Sequence, residues 1–416
     1  MHTGNASLAE IIRDAIRRRG PVTFDWFMEQ ALYHPELGYY SSGRCEIGRR
    51  GDYFTNVSVG PLFGRLLAAQ FVEMWESLGR SEDFVIVEQG AHHGDFARDV
   101  LGAVRERAPD FFSRLRYRII EPFPILRERQ KETLRDFREL VMWEKSLSDL
   151  EPFCGVHFSN ELLDAMPVRL ISRPDPEGRA SARPGLAAAS PSDNQDWQER
   201  CVAESGAEFQ FVTAPITDAE LRQHLETIPH DLKGPYETEV NLAALEWIET
   251  LAQKLTRGYV LTVDYGYSRD EFYAPEKRNG TLQCYAHQRL VRSPLTDIGN
   301  VDLTAHVDWT SLAARAEAHD LSLAGFTDQH HFATAVVTAL MPEQFDAGAD
   351  AKTRRALQTL LHPELLGTTF QFLALARNAP GFRLSGFKFA QEPRSALGLS
   401  SRPETGNRIP DRESRN

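Results

Sequence analysis

The sequence predicts an α/β fold built on a parallel, doubly wound sheet, and three observations predict it. Four short apolar runs, FVIVE (84–88), YRIIE (117–121), GVHFSNE (155–161) and YVLTVDYG (259–266), lack a helical period and suit strands buried on both faces. Amphipathic stretches of helical length separate them. The first run leads directly into a glycine-containing turn, Glu88-Gln89-Gly90-Ala91-His92-His93-Gly94, followed by helical sequence. Strand, turn and helix in that order make the repeating unit of a parallel sheet.

The elements follow in chain order. Ser7 and Glu10 have capping-box spacing, Leu8, Ile11, Ile12, Ala15 and Ile16 make one apolar stripe, and Gly20-Pro21 ends that first helix. A second helix runs from Thr23 to Tyr33, before Pro35. Residues 38–56, rich in Gly, Ser, Tyr and Arg, read as an ordered loop. A third helix spans Pro61 to Leu78, with Leu62, Phe63, Leu66, Leu67, Phe71 and Trp75 mostly on one face. Helices over Gly94–Arg107 and Pro124–Phe137 flank the second strand, the latter with proline near its start. A weaker strand near Leu140–Trp143 precedes the GVHFSNE strand. Residues 173–195 read as a flexible surface insertion, and CVAESGAEFQFV (201–212) as a hairpin turning at Ser205-Gly206. Thr238–Leu255 has the pattern of an amphipathic helix. Residues 391–416 are polar without apolar periodicity and are expected to be disordered. The chain thus divides into a helical N-terminal cap (1–80), a main domain (81–390) and a tail (391–416).

Charge and cysteine usage narrow the function. With 416 residues, 47 basic and 59 acidic side chains and a net charge of −12, the surface repels phosphate backbones, which argues against nucleic acid as a partner. The four cysteines, Cys45, Cys154, Cys201 and Cys284, form no C-x-x-C pair, so no zinc ribbon or dithiol redox site is indicated. Adjacent side chains diverge in His92-His93 and His330-His331, and neither pair has ligand-like neighbours at helical spacing, so no metal is expected. No apolar run is long enough to insert into a membrane. Glu10, Arg13 and Asp14 interrupt the only N-terminal apolar stretch, which does not read as a signal peptide. Together these features lead to the expectation of a cytoplasmic protein. The sequence carries no signal for oligomeric state.

Four constellations stand at strand ends, where open α/β sheets bind ligands. The glycine turn places Gly90 and Gly94 where a β-carbon would block the turn or a ligand, and the helix after it offers unsatisfied N–H groups. Glu88 at its start would oppose a phosphate but can engage a cationic or amino-acid-like group. Glu121 ends the next strand, where an acid can accept both hydroxyls of a ribose; alternatively it caps the Pro122 turn. Asn160, Glu161 and Asp164 follow the fourth strand. Glu161 and Asp164 could hold a guanidinium, though Asp164 might equally cap the turn before Pro167. Asp264 closes the fifth strand, and Asp302 with His306 either flanks an acceptor or anchors a loop. No G-x-S-x-G or Walker lysine motif supports a hydrolase or kinase.

Several of these segments together resemble the MidA-like family of class I methyltransferases, which includes a mitochondrial complex I assembly factor that methylates a protein arginine. The resemblance covers roughly residues 20–380 and rests on GPVTFDWFMEQALYHPELGYYSSG, GDYFTN, PLFGRLLAAQ, the EQGAHHG turn, IIEPFPILRERQ, SNELLDAMPV, DWQERCV, VDYGY and DLTAHVDW. It implies a Rossmann-like sheet of seven strands, the last antiparallel, with a helical N-terminal segment over the site. It also implies S-adenosyl-L-methionine as cofactor. By position, Gly90 and Gly94 would shape the loop around the cofactor's methionine end, Glu88 would face its amino group, Glu121 its ribose, and Asn160-Glu161 the transfer edge. The loop 51–55, with Asp52 and Thr55, would close the pocket. His92 stands where the family commonly has a middle glycine, and is expected to narrow the turn beside the cofactor. The activity implied is methylation of an arginine on a partner protein, with Glu161 and Asp164 as the catalytic carboxylates. The His92 departure motivates a second reading, a non-catalytic assembly chaperone that keeps the fold. A third, a nicotinamide dehydrogenase, disfavours the Asn160-Glu161 pair.

Overall fold

The structure, a computed structural model, describes residues 5–43, 56–174, 197–286, 289–342, 350–381 and 383–400. The central sheet is built from β1 (Phe84–Gln89), β2 (Leu115–Ile120), β3 (Val141–Glu144), β4 (Phe153–Asn160), β5 (Leu255–Tyr267), β6 (Ser322–Asp328) and β7 (Phe370–Arg377). Their spatial order is β3-β2-β1-β4-β5-β7-β6, and Val307–Asp308 pairs with the end of β5 as an eighth strand. All pairings among β1 to β5 are parallel, whereas β7 runs antiparallel to both β5 and β6. The expected seven-strand sheet with an antiparallel last strand is present. The chain moves outward from β1 through β2 to β3 and then returns to β4 on the other side of β1, so a crevice opens at the carboxyl ends of β1 and β4.

The apolar runs are buried on both faces, as their composition requires. Phe84, Ile86, Phe158, Leu261 and Val263 join one core with helices α3 (Leu62–Ser77) and α4 (Asp95–Arg107). Their sequence neighbours Val87 and Val260 point the other way, against the helices Leu242–Lys254 and Trp309–Ala318. The two-residue period of a strand divides one run between two cores.

The boundary expected at residue 80 falls elsewhere. Helix α3 belongs to the central core, while α1 (Ala6–Arg19) and α2 (Phe24–Tyr33) pack on a second, five-stranded sheet. That sheet joins Val22–Thr23, Arg169–Arg173, Tyr236–Val240 and the hairpin Gln198–Ser205/Glu208–Pro215, which turns at Gly206 as expected. Leu8, Ile12, Phe24, Phe27 and Met28 meet Leu170, Val202 and Phe209 in its core. The N-terminal helices and this inserted sheet therefore form one lobe.

Three local expectations are corrected. Asn5, not Ser7, caps α1, its carboxamide accepting from the N–H groups of Ser7 and Leu8. The helix expected from Thr238 begins only at Leu242, because Tyr236–Val240 pairs with Arg169–Arg173 and Asn241 caps the helix through Ala244 N–H. The tail is ordered over 391–400: Pro393–Ala396 is a short helix, and Leu397 is fully buried with its carbonyl accepting from the Thr310 hydroxyl. Ala396 and Leu399 pack beside it, and Arg394 pairs with Glu317, which together dock an otherwise polar segment. The expected insertion (from residue 175), the loop 51–55 and the tail beyond residue 400 lie outside the described residues. Among the described residues, no helix is long and apolar enough to cross a membrane.

Candidate active site

The turn between β1 and α4 uses the left-handed backbone three times, at Gly90 (φ 82°), His92 (φ 45°) and Gly94 (φ 83°). A β-carbon at Gly90 would find ordinary contacts, its nearest neighbour being Leu162 at 3.6 Å, so backbone conformation rather than space calls for glycine there. His92 adopts a glycine-like dihedral at a cost of about 1 kcal/mol or somewhat more, and its ring lies 3.8 Å from that of His93, centroid to centroid. Gly94 caps α4, a helix of 13 residues whose first N–H groups face the crevice end of the sheet.

Two isolated carboxylates flank this turn. Glu88 is buried and accepts from the Tyr117 hydroxyl at 2.7 Å; burial pushes its pKa up to about 7 against that hydrogen bond. Glu121 is also buried and pushed up to about 7 by burial. Its two oxygens accept from Phe123 N–H at 3.0 Å and from the Gln130 carboxamide at 2.9 Å. Between the turn and Glu121 the crevice widens into a cavity of about 570 Å³, a size suited to a nucleoside-sized ligand. Glu88, Gly90, His92, Glu121, Asn160 and Glu161 all line it, as do Tyr33, Tyr40 and Phe123. The rings of Tyr33 and Phe123 are nearly parallel, 6.5 Å apart.

Four carboxylates gather at the other end: Glu161, Asp164, Asp264 and Asp302, close enough for each of the others to raise the Asp164 pKa. Glu161 sits at φ 53° with its N–H on the Val263 carbonyl, which turns the chain out of β4. The Asn160 carboxamide donates to Glu161 at 2.7 Å and accepts from Asn56 at 3.1 Å. The Asn56 backbone N–H and the Tyr265 hydroxyl also donate to Glu161. Burial, then the charges of Asp264 and Asp302, push Glu161 up to about 8.

The four are not equivalent. Asp264 accepts from the N–H groups of Leu162, Leu163, Asp164 and Tyr265 and so holds the loop after β4 in place. Asp302 accepts from the Tyr40 hydroxyl at 2.6 Å. Asp164 is buried behind the wall rather than part of it, unlike Glu161. His306 is apart from the cavity, its ring stacked on Tyr267 at 4.9 Å. Asp52 and Thr55 fall outside the described residues. Sequence reasoning missed Tyr33, Tyr40, Asn56, Phe123 and Gln130 as site residues, although all five lie within the motifs quoted above. Their common signal was a polar or aromatic side chain next to a turn in an otherwise family-like segment. Among the described residues, no group of three or more His, Cys, Asp or Glu could hold a metal ion.

The family model for S-adenosyl-L-methionine-dependent methyltransferases matches residues 66–327, more than half of the chain. The chain belongs to this family. A Burkholderia thailandensis protein solved with S-adenosyl-homocysteine bound superposes on the methyltransferase with a TM-score of 0.80 and 29% identity, covering 94% of this chain and 96% of that one. Curated relatives include the fruit-fly (Drosophila melanogaster) homologue of protein arginine methyltransferase NDUFAF7, 26% identical over 90% of this chain and 85% of its own length. Human NDUFAF7 is likewise 26% identical, over 93% and 86%. S-adenosyl-L-methionine is the cofactor of the methyltransferase, and the dehydrogenase reading is set aside. The cavity fits that cofactor: it is open between Gly90 and Glu121, and both buried acids keep lone pairs for further donors. The expectation of a cytoplasmic protein is overturned, since these curated relatives are mitochondrial proteins. Cysteine usage separates reducing from oxidising compartments and cannot tell one reducing compartment from another.

Proposed function

We propose that the methyltransferase transfers a methyl group to an arginine side chain of a partner protein, with Glu161 as the catalytic carboxylate. The four-carboxylate cluster behind the cavity wall carries this reading. Buried acids placed side by side repel one another and retain protons; a guanidinium, with five N–H donors in a planar fork, relieves both conditions. Glu161 lines the cavity and would meet the guanidinium, while Asp164 and Asp302 would add field from behind. The similarity to relatives named protein arginine methyltransferases supports the same acceptor class.

The cofactor supplies an electrophilic methyl on a sulfonium sulfur, and the chain supplies position, charge and a place for a proton. Glu88 would hold the amino group, the turn from Gly90 to Gly94 the methionine carboxylate, and Glu121 the ribose. An in-line displacement gains most of its acceleration from such placement. A guanidinium nitrogen that accepts a methyl must also lose a proton, and a Glu161 carboxyl with a pKa of about 8 is a better base than an ordinary carboxylate. The chaperone reading rested on His92, and the turn keeps its glycine-like course with that histidine in place.

The deciding experiment incubates the purified protein with labelled S-adenosyl-L-methionine and candidate partner proteins, then maps the label by mass spectrometry. Label on arginine is expected. Label confined to another residue type would overturn the acceptor assignment.

A further inference from the structure

The motif IIEPFPILRERQ ends in a residue that the reaction as described leaves without a role. Gln130 lies on helix α5 (Pro124–Thr133) and is fully buried. Its carboxamide nitrogen donates both to the His92 carbonyl and to Glu121 Oε2, each at 2.9 Å. Its carboxamide oxygen accepts from the Trp143 indole N–H at 2.8 Å. The orientation is fixed by chemistry on both sides. An indole N–H can only donate, so the oxygen must face Trp143; a carbonyl and a carboxylate only accept, so the nitrogen must face them. Both amide hydrogens and the oxygen are thereby committed.

We infer that Gln130 is the positioning residue for the cofactor: one amide group sets the distance between the turn after β1 and the acid after β2. The inference rests on the reading that Glu121 meets the cofactor's ribose. The two halves of the cradle follow neighbouring strands, which the sheet pairs up to Gln89 and Ile120. Beyond that pairing the Gln130 amide ties the His92 carbonyl to Glu121 across the helix. It also leaves Glu121 one oxygen on Phe123 N–H and the other on the amide, so the lone pairs that remain are presented in a set direction. The tie also anchors the carbonyl of His92, a residue held in the left-handed region at φ 45°.

The test measures S-adenosyl-homocysteine binding by calorimetry from pH 6 to pH 8.5 in the full chain and in Gln130→Leu, Gln130→Glu and Glu121→Ala, with thermal melts to show that each folds. Gln130→Leu should weaken binding roughly tenfold or more at every pH, the scale of a lost hydrogen bond to a charged group. Gln130→Glu should weaken it further at pH 8.5, where two carboxylates face each other, and recover toward the parent as pH falls and the introduced carboxyl becomes a donor. A purely space-filling residue has no reason to show that recovery. Binding within twofold of the parent in both Gln130 variants, or a Gln130→Glu deficit that stays flat with pH, would overturn the inference. Glu121→Ala separates the two levels: if it leaves affinity unchanged, the ribose reading itself is wrong; if it alone weakens binding, only the role of Gln130 falls.

Discussion

The two ends of the cavity both use buried carboxylates, and they use them differently. At the cofactor end Glu88 and Glu121 stand apart, each held by neutral donors: the Tyr117 hydroxyl for one, Phe123 N–H and the Gln130 amide for the other. At the acceptor end four carboxylates share one region, and after burial the neighbouring acids push Glu161 and Asp164 up. An isolated, hydrogen-bonded acid is suited to hydroxyl or amino donors. A cluster is suited to a full positive charge that replaces its protons. On the proposed reading, the placement of acids, more than their number, gives one end to the cofactor and the other to a cationic acceptor.

The sharpest way to break this contrast is Glu161→Gln. With an identified acceptor, turnover should fall on the order of a hundredfold or more, the usual scale for losing a positioned acid or base, while S-adenosyl-homocysteine affinity stays within about twofold. Equal turnover would remove Glu161 from the chemistry. A smaller effect is expected at the other end. Glu121→Ala should weaken the cofactor by roughly tenfold to a hundredfold, the worth of hydrogen bonds to a charged group, with little change in turnover at saturating cofactor. A collapse of turnover at saturation would show that the two ends are not separable.

Titration sharpens the contrast further. Glu161 at about 8 lies above its ordinary 4.5, so the folded chain keeps a proton that the unfolded chain releases. Its contribution to stability is complete below about pH 4.5 and is lost as pH rises through 8. The melting temperature of the ligand-free protein should therefore fall between pH 6 and pH 9, and less so in Glu161→Gln. The acceptor kcat/KM should rise over the same interval as Glu161 ionises in the free protein, whereas cofactor binding should tighten nearer pH 7, where Glu121 loses its proton. Coincident midpoints would erase the distinction between the ends. The smallest effect expected is that of Tyr40→Phe, which removes the hydroxyl donated to Asp302. It should raise the acceptor KM by under about tenfold, in line with one hydrogen bond, without moving cofactor affinity.

The sequence by itself marked β1 to β5 of the central sheet, because runs buried on both faces are largely apolar and leave no helical period; it did not mark β6 and β7. It also marked Glu88, Gly90, Gly94 and Glu121 as candidates for the cradle, local features each readable from one strand and the turn after it. It could not show that Tyr236–Val240 is a strand, since that depends on pairing with Arg169–Arg173 far along the chain. Nor could it divide the four acids, for Asp264 becomes a loop anchor and Glu161 a cavity wall only once β4 and β5 lie side by side. Gln130, Tyr40 and Asn56 acquire partners 38, 262 and 104 residues away. A side chain's role in a site is set by what tertiary packing brings to it, and no local pattern records contacts of that range.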